Sequence, residues 1–332
     1  MQIENSKMIY RGSGELARVY RGQTIVWEPY EETAEDRKYL TLEVMNITSA
    51  PDYNGVTTIV RGTGELTFSY TGTVPYLDIY FSKNNGEWIS YNAATSEQKT
   101  MTIGDVVRIK GNNDAYCFEN GSDTGHYNLS IPNTFFKISG NILSLKYGDN
   151  FVGKRGKLSK YAFKDLFVYT KGYVRDAENL RIPSTGEHAL EQLFYYQQFL
   201  TVPPSILPST TLSDSCYRGM FYNCRLLQTV PELPARNLSP YCYHQMFQQC
   251  YSITRSPDLN AATLPIGAYG DMFWGCKNLQ YIKCLATNNP TSGTGSWVYH
   301  VASTGTFVKH PDATWEYGAN GVPSGWPIVD SD

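Results

Sequence analysis

Three slots of a repeating pattern carry side chains suited to recognition. Arg218, His244 and Gly270 fill the first, Tyr222, Gln248 and Trp274 the second, and Arg225, Tyr251 and Lys277 the third. They change from copy to copy while their neighbours stay fixed, as positions facing solvent do. Tyrosine and tryptophan beside amides and cations offer flat apolar faces with hydrogen-bonding rims, which suit sugar rings or a protein partner. The expected ligand-binding residues are therefore Arg218, Tyr222, Arg225, His244, Gln248, Tyr251, Trp274 and Lys277. An idle solvated surface is the competing reading.

Reaction chemistry is harder to find. The chain has no Gly-x-Ser-x-Gly, His-Glu-x-x-His, P-loop or calcium-loop pattern. The glycine-rich 11–16 and its echo 61–66 do not lead into helices, so they are read as turns and not phosphate cradles. His126, His188, His244, His300 and His310 are scattered singly, and Asp123-Thr124-Gly125 stands alone without a second copy. Six of the seven cysteines recur in step with the repeat, at 216, 224, 242, 250, 276 and 284, with no Cys-x-x-Cys pair. Beside Met-Phe they read as small buried hydrophobes, with a disulfide framework or a metal site the lesser alternatives. The expectation is a protein that is not an enzyme, with no cofactor and no metal.

What positions those slots is a 26-residue period. Leu207, Leu233 and Leu259 open three copies; Leu212, Leu238 and Leu264 match within them, as do Tyr217, Tyr243 and Tyr269. So do Met220-Phe221, Met246-Phe247 and Met272-Phe273, and then Cys224, Cys250 and Cys276. Leu166-Phe167 and Leu193-Phe194 hold the same slot in two eroded copies, giving about five units. A fixed period of this length marks a stacked architecture in which each unit needs its neighbours. Cys216, Tyr217, Met220, Phe221 and Cys224 predict one face of an α-helix, with Ser213 and Ser239 as N-caps and Pro265 in a first turn. Leu227 to Pro231 predicts a short extended run after it. Trp297, Phe307, Trp315 and Trp326 follow where the period stops and are expected to cap the stack.

Upstream the period changes to two. From Tyr39 to about Leu145, strand-length alternating runs are separated by Gly, Asn, Asp and Pro, as at Lys83-Asn84-Asn85-Gly86, which predicts an antiparallel sandwich. Residues 31–38 read as a charged linker. Before it, Ile9-Tyr10-Arg11-Gly12 is echoed by Val19-Tyr20-Arg21-Gly22, predicting a small hairpin too short to be stable alone. It is expected to dock on the rest of the chain or on a partner. The parts are thus residues 1–30, 31–38, 39–150, 151–284 and a cap at 285–332.

Over 332 residues the net charge is −3 with no long charged block, which recommends neither nucleic acid nor an anionic membrane as partner. No stretch approaches 18 uninterrupted apolar residues, and the N-terminus lacks an apolar run of signal-peptide length, so no membrane span and no export by that route are expected.

The units LPSTTLSDSCYRGMFYNCRLLQTVPE and LPARNLSPYCYHQMFQQCYSITRSPD resemble the BspA-type leucine-rich repeats of gut Bacteroidetes and their phages, as do the flanks ISGNILSLKYGDNFVG and WVYHVASTGTFVKHPDATWEYGANGVPSGWPIV. The resemblance covers roughly residues 40–332. The opening MIYRGSGELARVYRGQTIVWEP is similar to short N-terminal segments of phage virion proteins, including crAss-like phages. Together they imply an α+β multidomain chain: an antiparallel β-sandwich, a short helix–turn–strand leucine-rich-repeat solenoid and a C-terminal cap. They imply a virion structural protein, a fibre or decoration that attaches to other virion proteins through Tyr10, Tyr20 and Trp27 and touches a bacterial surface glycan or protein. A homo-oligomer, dimer or trimer, is expected. The alternative is a bacterial cell-surface adhesin binding host glycan or matrix protein.

Overall fold

The computed structural model describes residues 6–10, 16–21, 24–27, 34, 37–71, 78–112, 126–169, 172–183, 185–287 and 292–332; before residue 28 it describes backbone pairing only. The chain forms two compact units, Met1–Ala34 and Glu35–Asp332.

In the first unit Ser6–Tyr10, Leu16–Arg21 and Thr24–Trp27 pair antiparallel in that order, with Met8 opposite Val19 and Val19 opposite Trp27. The expected hairpin is thus extended by a third strand. The side chains of Tyr10, Tyr20 and Trp27, the expected anchors, lie outside what is described.

The second unit opens with antiparallel sheets. The largest runs Ile89–Ser90, Ile79–Lys83, Val106–Gly111, Leu40–Val44, Phe135–Asn141 and Tyr173–Asp176. Its alternation is the period of two read in the sequence: Leu40, Leu42 and Val44 are buried while Thr41 and Glu43 are less so. Asn84 and Asn85 take φ of 49° and 61°, the conformation a tight hairpin turn demands, and the flanking strands pair as expected. Smaller antiparallel pairs join Ser49–Pro51 to Thr57–Ile59, Thr63–Glu65 to Thr100–Thr102, and Thr67–Thr71 to His126–Ser130. At Phe135–Asn141 the pairing turns parallel, onto Tyr173–Asp176 and Leu180–Arg181. One apolar core runs on from Leu40 to Trp326.

The repeats that follow are not helical. Among the described residues the α-helical pieces are Ser96–Lys99 and Ser144–Tyr147, four residues each, so the protein is mostly β and the α+β class is corrected. In place of each expected helix lies a coil of consecutive turns with positive φ at every fourth residue: Ser215, Gly219 and Asn223, then Tyr241, Gln245 and Gln249, then Gly267, Asp271 and Gly275. In these three copies even-numbered N–H groups close turns, as from Met220 to the Tyr217 carbonyl (3.2 Å). Odd-numbered ones leave the coil for the next rung: Tyr217 to Cys242 O (3.0 Å), Gly219 to His244 O (2.8 Å), Phe221 to Met246 O (2.9 Å).

The buried pattern i, i+1, i+4, i+5, i+8 therefore reports a period of four, not the 3.6 of an α-helix. Hydrogen bonds between rungs repay the lost intrahelical ones. Ser239 is correspondingly no N-cap; its hydroxyl donates to the Leu212 carbonyl of the rung before (2.8 Å).

The stack itself is a set of ring columns. Phe167, Phe194, Phe221, Phe247 and Phe273 lie 5.5, 5.6, 5.6 and 5.9 Å apart, with interplanar angles of 16°, 5°, 8° and 4°. Tyr217, Tyr243 and Tyr269 form a second column at 5.8 and 6.1 Å. Both end on Trp297, 6.1 Å from Phe273 and 6.0 Å from Tyr269, which in turn stacks on Trp315 at 5.6 Å. Trp297, Phe307, Trp315 and Trp326 are all buried, as expected of a cap. Positive φ at Ser296 and His300 makes 296–300 one more rung beyond the end of the sequence period.

The six periodic cysteines are free and buried. The thiols of Cys224, Cys250 and Cys276 donate to the carbonyls of Phe194, Phe221 and Phe247 (3.2, 3.0 and 3.0 Å), and burial pushes those of Cys216 and Cys284 up to about 12. Arg255–Leu259, Tyr281–Cys284, Thr306–Lys309 and Ile328–Asp330 form a four-stranded parallel sheet. The expected extended run at Leu227–Pro231 makes no strand, only contacts such as Gln228 N–H to the Thr201 carbonyl (3.0 Å).

Candidate recognition surface

Because each rung repeats the last, equivalent slots become columns running along the stack. The first slot is a charge column. Glu191, only 5% exposed, receives His188 Nδ1 at 2.5 Å, Arg218 at 3.8 Å and Lys164 at 3.9 Å. His244 follows, with Nε2 3.9 Å from the Asp271 carboxylate. Gly270 leaves room for it: a Cβ there would meet His244 Nδ1 at 2.6 Å. Burial, and then the Arg218 charge, hold the His244 imidazole below its ordinary range, against the opposite pull of Asp271 and Glu191. This slot mainly ties rungs together. Arg218 is half-exposed, whereas His244 is largely covered and Gly270 buried, so the expected solvent-facing set is corrected in part: close stacking of rungs encloses short side chains.

The third slot is a brace. Arg225 and Lys277 bracket the Tyr251 ring at 5.3 and 4.7 Å, while Tyr53 from the antiparallel region meets it edge-on at 4.8 Å. Cation–π contacts of this kind contribute about 0.5–1 kcal/mol each when exposed. Arg225, Tyr251 and Lys277 thus fasten the loop after Ser49–Pro51 to the repeats.

The second slot holds stacked aromatic rings. Tyr195 and Tyr222 stack at 4.7 Å, with Tyr196 5.6 Å from Tyr222 and 42% exposed. Burial, then Tyr196 and Tyr222, push the Tyr195 hydroxyl up to about 12. Gln248 comes next, buried, its Oε1 without a hydrogen-bond partner. Beyond it Trp274 stacks on Tyr299 at 6.3 Å and meets His300 edge-on at 6.0 Å. Tyr169 and Tyr173 stack at 5.2 Å near the other end of the repeats.

The sequence names Tyr222, Gln248 and Trp274 in this slot; Gln248 is corrected, being buried between rungs where a solvent-facing side chain was expected. Tyr169, Tyr195, Tyr196, Tyr299 and His300 were not named. The first three sit in eroded copies, where Tyr195-Tyr196 beside Leu193-Phe194 was the available signal. The last two lie one rung past the end of the period.

A shallow cleft of about 450 Å³ lies between 230–234 and 255–260 and contains Glu232 and Asp258. Asp258 is taken up by Lys283 at 2.8 Å and Arg255 at 3.3 Å. Among the described residues no three His, Cys, Asp or Glu side chains converge as metal ligands, and no helix is long and apolar enough to cross a membrane. Asp123-Thr124-Gly125 and Cys117 fall outside the described residues. No family model matches the chain, and neither the curated proteins nor the solved structures give a match to it.

Proposed function

We propose that this chain is a non-enzymatic virion structural protein, a fibre or decoration, that displays a leucine-rich-repeat-like solenoid for adhesion to a bacterial surface. In this reading residues 1–34 attach to other virion proteins, the antiparallel part of 39–150 is a sandwich that spaces the repeats from the particle, and the repeats carry the contact face. The carrying observation is the row Tyr195, Tyr196, Tyr222, Trp274 and Tyr299: aromatic rings stacked in two groups on either side of the buried Gln248, with Tyr196 and Tyr299 exposed and the others half-buried. Such a row suits a glycan chain, the exposed Tyr196 and Tyr299 offering CH–π contact while the stacked rings present edges and hydroxyls. Expected partners are thus virion proteins at one end and a surface glycan at the other, with a dimer or trimer as the working assembly.

Two experiments test this. Replacing Tyr196, Tyr222 and Trp274 together by Ala should abolish adhesion to host cells while leaving the melting curve nearly unchanged; adhesion at wild-type level would refute the display role. Deleting residues 1–34 should leave a folded protein that no longer enters particles, and normal incorporation would refute the attachment role. The alternative of a bacterial adhesin binding host glycan rests on the same row, and differs in predicting association with a cell envelope in place of a particle.

A further inference from the structure

At the capped end the aromatic row runs into a recess of about 300 Å³, walled on one side by 298–303 and on the other by Gly318, Ala319, Pro323 and Ser324. We propose that this recess is an end-group subsite, holding the terminal ring of a neutral glycan whose chain lies along the row; the inference rests on the glycan reading above.

Its size comes first. The volume is at the bottom of the ~300–1,000 Å³ range of small-molecule sites, enough for one ring and not for a folded chain. Its chemistry is that of an uncharged sugar. Tyr299, 45% exposed, stands with its ring 4.0 Å from that of His300, and Trp274 lies beside both. Ser303 and Ser324 are exposed at the rim and bring hydroxyls. Among the described residues no Asp, Glu, Lys or Arg lines it, so neither a phosphate nor an acidic sugar finds a counter-ion among them, and they offer no carboxylate pair for hydrolysis.

The walls are also held in place before any ligand arrives. Val298 N–H donates to the Ala319 carbonyl (3.3 Å), Trp326 Nε1 to the Ala302 carbonyl (3.0 Å), and the Tyr317 hydroxyl to the Trp326 carbonyl (3.1 Å). A recess fixed by its own hydrogen bonds loses little ordering entropy on binding.

The test is saturation-transfer NMR on the full chain with galactose, glucose, mannose, fucose, rhamnose, N-acetylglucosamine and N-acetylgalactosamine, with N-acetylneuraminic acid as the acidic comparison. At least one neutral sugar should bind in the millimolar range, and the acidic one should not. Ser303→Phe and Ser324→Phe, each at an exposed rim position, should weaken that binding by about tenfold or more. Ile59→Ala, at an exposed position outside both the row and the recess, should leave it unchanged. Lack of binding by every neutral sugar, or equal binding to both Phe variants, overturns the subsite. If the row variants lose host adhesion while the Phe variants keep it, this inference falls and the display function stands. If neither set affects adhesion, the display function falls as well.

Discussion

At the scale of single residues, the sign of a stability change distinguishes the four-residue coil from an α-helix. Gly219 has φ of 58°, and a Cβ there would lie 3.3 Å from the Gln192 side chain. In a helix Gly→Ala stabilises by about 1 kcal/mol. In the left-handed region an L side chain costs roughly 1–2 kcal/mol. Gly219→Ala should therefore destabilise, read as a lower urea midpoint, and a raised midpoint would mean the segment is helical after all. Gln245, at φ 58°, gives the reverse: Gln245→Gly should be neutral or mildly stabilising, where a helix would lose about 1 kcal/mol. His244 supplies a pH test. Its imidazole is held neutral in the fold by burial and by Arg218, while the unfolded chain takes up a proton below about pH 6.5. A base with a lowered folded pKa contributes stability that is whole above pH 6.5 and fades as pH falls beneath it. Midpoints at pH 7.5 and 5.5 should differ, and His244→Gln should flatten the difference. A slope unchanged in that variant would place the titration elsewhere.

At the scale of elements, the register of the repeats was legible and their local conformation was not. Spacing alone put Phe167, Phe194, Phe221, Phe247 and Phe273 in one slot, because stacked rungs must bury the same side chain at the same height, and the rings do stack. Burial at i, i+1, i+4, i+5, i+8 fits a period of four as well as 3.6, since nine residues are too few to separate the two. What decides is where the N–H groups go, and hydrogen bonds between rungs leave no mark on composition. Gln197 shows the same limit: it fills the cysteine slot of an eroded copy, and its Nε2 donates to the Phe167 carbonyl (2.8 Å) as Cys224 does to Phe194. A shared hydrogen-bonding task explains a substitution that hydrophobicity would not. The role of Tyr251 was hidden for another reason, because its partner Tyr53 lies in a different part of the chain. The buried aromatic cluster beyond the repeats was expected from its tryptophans, and it carries a test. Trp297 ends both ring columns and donates from Nε1 to the Gly321 carbonyl (2.8 Å). Trp297→Ala should cost about 3–5 kcal/mol by urea unfolding, within the range for large aromatic deletions. A loss under about 1 kcal/mol would mean the columns do not depend on their end plate.

At the scale of the whole molecule, residues 35–332 should unfold as one body. A repeat array alone tends to fray from its ends, since each rung contacts only its neighbours. Here both ends are covered. At one end Phe135–Asn141 carries the antiparallel sheet directly onto Tyr173–Asp176 by parallel pairing, and at the other Trp297, Trp315 and Trp326 close the columns. Partway along, Tyr53 reaches Tyr251 between its two cations, which joins the antiparallel part to the fourth ring of the phenylalanine series as well as to the first. A break at any rung would expose aromatic faces on both sides, so partly unfolded states gain little. Calorimetry of residues 35–332 should accordingly give a single transition with matching calorimetric and van't Hoff enthalpies. Ending the chain near Cys284 removes the cap and should give insoluble or molten protein. Tyr53→Ala with Tyr251→Ala should loosen the brace enough to split the transition, the antiparallel sheets and the repeats melting separately. Two transitions in the unaltered chain, or a soluble and cooperatively melting truncation, would show that the repeats stand without either neighbour.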